Sequence, residues 1–198
     1  MLKEAGRTSV LSKRWIHLWM GTTNLNFDAT KVSEELGTSD ITRKESPILC
    51  KRERHKYIRW VDAVLKLHNS LALDEFRICF DLNNSRQKHI DESLRHAFAR
   101  KVQWLELNLF DAQGFPGDYS RTHTFPPGLV GLRSGKSTDK HPASSFDFKS
   151  LRALILRRVN VTEEVLQSFL HNCPLFERLV VHGSHDLVNL EILDHLLP

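Results

Sequence analysis

The residues from Gly131 to Ser137 come closest to a ligand-binding motif in this sequence. They read Gly-Leu-Arg-Ser-Gly-Lys-Ser, similar to the loop that holds nucleotide phosphates with backbone N–H groups and a lysine. Three residues separate the two glycines, one fewer than that loop needs to curve around a phosphate. Pro126 and Pro127 stand where a strand should precede the loop, and Pro142 stands where a helix should follow it. We therefore interpret the stretch as a flexible loop rather than a nucleotide site.

The histidines and cysteines form no pattern typical of catalysis or of a metal site. None of the eleven histidines has a close ligand spacing such as His-Glu-x-x-His, and no Gly-x-Ser-x-Gly motif is present. Cys50, Cys79 and Cys173 are scattered and odd in number, which is typical of a reducing intracellular compartment. We expect Cys173 to pack in the core and Cys79, between the inward Ile78 and Phe80, to be exposed. The sequence thus predicts no catalytic residue, no metal ligand and no cofactor.

The net charge of +4 is spread unevenly along the chain. Residues 1–60 hold 12 Lys/Arg against 7 Asp/Glu (net +5), and residues 61–198 hold 16 against 17 (net −1). The run from Lys51 to Lys56 could be a nuclear-import or nucleic-acid patch, but it is short and Glu53 interrupts it, which favours a solvated linker. No apolar run approaches the ~20 residues of a membrane span. We therefore expect neither a nucleic acid nor a membrane as partner.

A pattern of apolar-x-x-apolar-x-apolar recurs along the second part of the chain. Such a pattern predicts the strands of a leucine-rich repeat, whose alternate side chains enter one shared core. The middle apolar positions, 76, 105, 154 and 179, are separated by 29, 49 and 25 residues, so the second interval indicates an insertion or a degenerate repeat. The four matching stretches are 73–78, 102–107, 151–156 and 176–181, with a shorter echo at 187–192.

Helical periodicity is found between the predicted strands. Apolar residues recur at helical spacing from Tyr57 to His68 and again from Ile90 to Phe98. Thr162 is a good N-cap residue for a third helix, with acidic residues in its first turn. Residues 111–146, with five Gly and four Pro, predict an irregular or mobile segment.

The first part of the chain is organised differently. Residues 3–20 predict one helix, or two short helices that meet near Ser12. Residues 28–56 are polar and weakly periodic, and we interpret them as a linker.

The stretch from Arg7 to Trp15, followed by Leu18 and Trp19, resembles the second half of an F-box motif. The chain is similar to a large plant family that joins an F-box to leucine-rich repeats, often with a C-terminal FBD region. Three other stretches carry the same resemblance: residues 60–65, 90–107 and 173–179. The predicted fold class is therefore α/β: a short helical partial F-box (1–27), a linker (28–56) and an irregular leucine-rich-repeat solenoid with a parallel sheet (57–198), with an insertion at about 111–146.

The resemblance implies the substrate-recognition subunit of an SCF-type E3 ubiquitin ligase, a non-catalytic receptor in the nucleus or cytoplasm. Its partners would be a Skp-type adaptor and an unknown target protein. Because the family's F-box opens with an apolar helix that does not precede Met1 in this sequence, we expect an N-terminally truncated F-box and weak adaptor binding. The alternative is a stand-alone leucine-rich-repeat interaction module, or a truncated product, that does not bind the adaptor.

Two sets of residues are candidates for these contacts. The adaptor-binding candidates come from the F-box-like stretch: Val10, Leu11, Arg14, Trp15, Leu18 and Trp19. The target-binding candidates alternate with the buried apolar residues of the strands and should face outward: Arg77, Glu106, Asn108, Ile155, Arg157, Val180 and His182.

Overall fold

The computed structural model of the chain describes residues 20–30, 46–82, 84–109, 122–132 and 146–187. Seven strands and three α-helices lie in these ranges. The strands are β1 (Asn24–Asp28), β2 (Glu75–Cys79), β3 (Trp104–Asn108), β4 (His123–Thr124), β5 (Ala153–Arg157), β6 (Val159–Asn160) and β7 (Arg178–His182). The helices are α1 (Ser46–Leu67), α2 (Gln87–Ala99) and α3 (Glu163–Asn172).

Five strands form one parallel sheet in the order β1-β2-β3-β5-β7, and β4 pairs with β6 in a separate parallel ladder. Every neighbouring pair in the large sheet is aligned position for position. The parallel sheet predicted from the repeat pattern is therefore confirmed. Because side chains alternate between faces, the second and fourth residues of all five strands point to one side and form two rows across the sheet.

These two rows make up the centre of the hydrophobic core. Their members are Leu25, Phe76, Leu105, Leu154 and Leu179 in one row, and Phe27, Ile78, Leu107, Leu156 and Val181 in the other. The rows are fully buried on the first four strands, as predicted for β2, β3 and β5. Leu179 and Val181 were predicted to be buried, but they are only half-buried, since β7 pairs on one side alone within the described residues. Burying one such side chain contributes about 1.5–3 kcal/mol.

Helix α2 shows how a connecting segment closes this core. Ile90, Leu94, Ala97 and Phe98 recur three and four residues apart and are all buried, which confirms the predicted helix. Phe98 then meets Phe148 with ring centroids 5.0 Å apart in an edge-to-face contact. Strands and helices contribute to a single cluster of buried residues.

The described part of the predicted irregular segment differs from the expectation. Residues 122–132 form β4 and a short 3₁₀ helix (Pro127–Val130), and they pack into the core. Phe125 is fully buried, with its ring centroid 5.6 Å from that of Phe169 on α3. The Gly and Pro content of the segment concealed this aromatic anchor. Residues 111–121 and 133–145 lie outside the described residues.

The structure corrects the two ends of the predicted linker over residues 28–56, whereas residues 31–45 lie outside the described residues. Residues 46–56 form the first half of α1, and Asp28 ends strand β1, which was not predicted at all. The guanidinium of Arg54 lies 2.6 Å from the carboxylate of Asp81 in a nearly buried ion pair, which attaches the charged run to the segment after β2. The helix therefore exposes most of its charges while its other side packs on the sheet. On that side, Tyr57 donates a 2.5 Å hydrogen bond to the carbonyl oxygen of Phe27.

No helix within the described ranges is long and apolar enough to cross a membrane.

Candidate interaction surface

The face of the sheet that points away from the core is the candidate interaction surface. We call it the outer face and define it by the first, third and fifth residues of each strand. Across β1, β2, β3, β5 and β7 it comprises Asn24, Asn26, Asp28, Glu75, Arg77, Cys79, Trp104, Glu106, Asn108, Ala153, Ile155, Arg157, Arg178, Val180 and His182. None of these residues belongs to the hydrophobic core cluster, although several are buried.

Charged side chains form a chain of ion pairs across the outer face, which we call the charge ladder. Arg77 Nη1 lies 3.4 Å from Asp28 Oδ2, and Arg77 Nε lies 3.2 Å from Glu106 Oε2. The other oxygen of Glu106 lies 3.2 Å from Arg157 Nη1. The ladder therefore links β1, β2, β3 and β5 with alternating sign. The side chain of Glu106 is only 10% exposed, so solvent and salt screen its two contacts less than they screen surface pairs.

Aromatic surface lies beside the charge ladder, towards β7. Trp104 is 37% exposed, and the guanidinium of Arg178 stands 5.5 Å from the centre of its ring. This separation is within the range of a cation–π contact. Val180, half-buried, lies two residues further along β7 on the same face. Trp and Arg side chains in such positions are the types most often found at the energetic centres of protein interfaces.

The predicted target-binding residues all lie on the outer face, in two adjacent rows. Arg77, Asn108, Arg157 and Val180 are half-buried and His182 is exposed. Two members lie on this face but are buried: Ile155 is 3% exposed and Glu106 is 8% exposed. Alternation along a strand determines the face but not the exposure, and both residues occupy inner strands where neighbours surround them on each side. Ile155 and Glu106 therefore support the surface, and little of either side chain is available to a partner.

Trp104 and Arg178 were absent from the predicted set. Each is the first residue of its strand, one alternation before the predicted outward positions. Extending the period-two pattern back to residue 104 on β3 and residue 178 on β7 would have found both of them.

The two described cysteines are buried thiols. Cys79 was predicted to be exposed, which is wrong: it is fully buried on the outer face beside Asn108. Burial, with a smaller contribution from Asp28, raises the pKa of the Cys79 thiol to about 11. Cys173 packs in the core as predicted, and burial raises its pKa to about 12. Both thiols are therefore protonated at neutral pH and are poor nucleophiles.

A histidine pair links the segment before β1, the residue after α1 and helix α2. His68 Nδ1 lies 3.1 Å from His96 Nε2, while His68 Nε2 lies 2.9 Å from the carbonyl oxygen of Thr22. Burial lowers the pKa of His68, and burial together with Arg100 lowers the pKa of His96 to about 4. Both rings are therefore neutral at neutral pH, and their hydrogen bonds hold these segments together. No group of three or more potential metal ligands occurs within the described ranges.

Four other predicted features lie wholly or partly outside the described residues. These are the helical segment over residues 3–20, the adaptor-binding candidates from Val10 to Trp19, the end of the phosphate-loop-like stretch from Arg133 to Ser137, and the strand echo at 187–192. Of the phosphate-loop-like stretch, Gly131 is described. It ends the 3₁₀ helix in a left-handed conformation with φ 79°, which glycine adopts without strain.

The sequence was compared with known proteins. A family model described as "FBD-associated F-box protein At5g56370, LRR repeats" matches residues 90–197. Among curated relatives from Arabidopsis thaliana, F-box/LRR-repeat protein 25 is 25% identical over 189 residues, covering 94% of this chain and 62% of the relative. F-box protein At4g27050 is 32% identical over 187 residues, covering 89% of this chain and 39% of the relative.

The curated relatives with the strongest matches are longer than this chain, which spans between 33% and 62% of their length. No solved structure matches the sequence. The family model covers more than half of the chain, from α2 to beyond β7, and therefore includes β3, β5 and β7 of the large sheet. The chain belongs to the leucine-rich-repeat family of FBD-associated F-box proteins.

Proposed function

We propose that this protein is a substrate-recognition subunit of an SCF-type E3 ubiquitin ligase. Its family membership, and the F-box names of its relatives, support an adaptor-bound receptor. The sequential, aligned parallel strands support an irregular leucine-rich-repeat solenoid that presents the outer face to a target protein. In this proposal the F-box-like segment lies before β1, and the sheet from β1 onward forms the target-binding region.

The receptor itself is proposed to be non-catalytic. Its contribution is to hold a target close to the ubiquitin-transferring subunits, which raises the effective concentration of the target at those subunits. The proposed site of action is the nucleus or the cytoplasm.

Binding of a Skp-type adaptor tests the ligase role. We propose that Val10, Leu11, Arg14, Trp15, Leu18 and Trp19 make this contact. We expect Trp19→Ala to weaken adaptor binding by about thirtyfold, the effect of losing one buried anchor worth about 2 kcal/mol. The measurement is calorimetric titration of purified adaptor into the protein. Trp104→Ala is the matched control, since it removes the same side chain from the outer face, and we expect it to leave adaptor affinity unchanged.

An extended version of the chain sharpens this experiment. Adding an apolar helix before the F-box-like segment is expected to strengthen binding, because the helix supplies further anchors and supports those of the segment. Absence of adaptor binding by the chain and by the extended version would contradict the ligase role. The protein would then be a stand-alone leucine-rich-repeat interaction module.

A further inference from the structure

The outer face has an uneven distribution of charge. Its positions on β5 and β7 include two arginines, Arg157 and Arg178, and no acidic residue. Its positions on β1 and β2 include the acidic residues Asp28 and Glu75 with one arginine, Arg77. The half of the outer face on β5 and β7, which we call the basic half, is therefore suited to binding negative charge. The half on β1 and β2 disfavours it.

The two arginines of the basic half are accessible. Arg178 is exposed and stands over Trp104. The Arg157 side chain is 41% exposed, and its contact with Glu106 leaves guanidinium N–H groups that can bind a second carboxylate. Glu177, the nearest acidic residue before β7, is already paired with Arg152. The basic half therefore offers charge that the charge ladder does not neutralise.

The geometry of β7 sets the spacing of a complementary ligand. Arg178, Val180 and His182 lie on the same face at two-residue intervals, and His182 is the aligned neighbour of Arg157 on β5. At ~3.3 Å per residue, the two basic ends are ~13 Å apart, with half-buried Val180 midway. An extended peptide has the same repeat, so its alternate side chains can match these three positions.

We propose that the basic half of the outer face binds an extended segment of the target protein with the pattern acidic-x-apolar-x-acidic. One acidic side chain meets Arg178, the apolar side chain packs against Val180, and the second acidic side chain meets Arg157 and His182. This inference rests on the proposed receptor function and adds the chemical class of the segment that is recognised. Arginine suits the task because its planar guanidinium binds a carboxylate through two N–H groups.

A phage-displayed library of random peptides, selected on the purified full chain, tests the proposal. We expect enrichment of peptides with the acidic-x-apolar-x-acidic pattern. The selection is repeated on Arg178→Glu, which reverses one basic end, and on Arg95→Glu, which reverses an exposed arginine of α2. Arg178→Glu is expected to abolish the enrichment and to weaken an enriched peptide by about tenfold or more, whereas Arg95→Glu retains both. Circular dichroism verifies that each variant is folded.

Three results would overturn the inference: enrichment of basic or purely apolar peptides, equal enrichment on Arg178→Glu, or no enrichment by a folded protein. The adaptor titration depends on the N-terminal segment and is independent of this selection. A protein that binds the adaptor but selects no acidic pattern contradicts the inference alone. A protein that selects the pattern but binds no adaptor contradicts the ligase role alone.

Discussion

Among the described residues, His123 on β4 is a fully buried titratable side chain whose two ring nitrogens have no hydrogen-bond partner. Its Nε2 lies 3.7 Å from the carboxylate of Asp91 on α2, too far for a hydrogen bond. Burial lowers the pKa of His123 to about 4. The folded protein therefore keeps this ring neutral at neutral pH, at the cost of an unsatisfied polar group in the core.

The stability of the protein should consequently depend on pH through His123. At pH values between the ordinary histidine pKa of ~6.5 and the folded pKa of about 4, His123 binds a proton in the unfolded chain but not in the folded chain. The free energy of unfolding is thus fully retained above pH ~6.5 and falls as the pH decreases towards 4. We expect His123→Leu to make this decline shallower, because an apolar side chain cannot titrate.

Urea unfolding curves at several pH values measure this effect, with His171→Leu, which replaces an exposed histidine of α3, as the control. His68 and His96 also have lowered pKa values, so a smaller slope will persist in the variant. An identical pH dependence with and without the His123 ring would show that this residue is not buried as the structure describes.

At the scale of elements, the position of a strand in the sheet determines what its core residues contribute. β5 lies between β3 and β7, and Leu154 is fully buried, whereas β7 has half-buried core positions. We expect Leu154→Ala to lower the free energy of unfolding by about 2–5 kcal/mol, since the inner site cannot collapse around the cavity. Leu179→Ala, the same substitution in the same row on β7, should cost distinctly less.

Midpoints of urea denaturation for the two leucine variants and the unmodified protein provide the comparison. Equal losses from the two sites would contradict the lower burial of the core positions on β7. A loss near zero at residue 154 would contradict the packed sheet.

The same elements show what the sequence could predict. β2, β3 and β5 were predictable, because each has two large apolar residues two positions apart, bounded by a third apolar residue upstream. β1 has only Leu25 and Phe27 with polar neighbours, a signal too short to recognise without the adjacent strand that completes it. The first half of α1 was obscured by its charges, since the partner that buries Arg54, Asp81, is 27 residues away in the sequence.

The outer face could be predicted by position but not by environment. Alternation placed Arg77, Glu106 and Arg157 on one side of the sheet, yet their mutual ion pairs depend on the register between strands. That register follows from loop lengths and core packing, which no local pattern contains. Only the assembled sheet therefore shows that ion pairs neutralise part of the outer face and leave positive charge available near β7.

At the scale of the whole molecule, the charge ladder and the core rows connect neighbouring strands on opposite faces of the sheet. The ladder crosses β1, β2, β3 and β5, whereas β7 contributes no member to it. A target that binds Arg157 and Arg178 would bridge β5 and β7 on the outer face. Because such a partner stabilises the state it binds, occupancy is expected to support the least buried strand of the sheet.

The alignment of the sheet also carries a consequence for the order in which the chain folds. The paired core positions are 29 residues apart for Phe76 and Leu105 and 25 apart for Leu154 and Leu179, but 51 for Leu25 and Phe76 and 49 for Leu105 and Leu154. Each doubling of a loop adds only about 0.6 kcal/mol of closure entropy, so the long connections barely affect stability, yet they delay the contacts they close. We expect β2–β3 and β5–β7 to form early and then dock. In pulse-labelled hydrogen exchange, amide protection in β3 and β7 should precede protection in β1, and simultaneous protection of all strands would contradict this sequence of events.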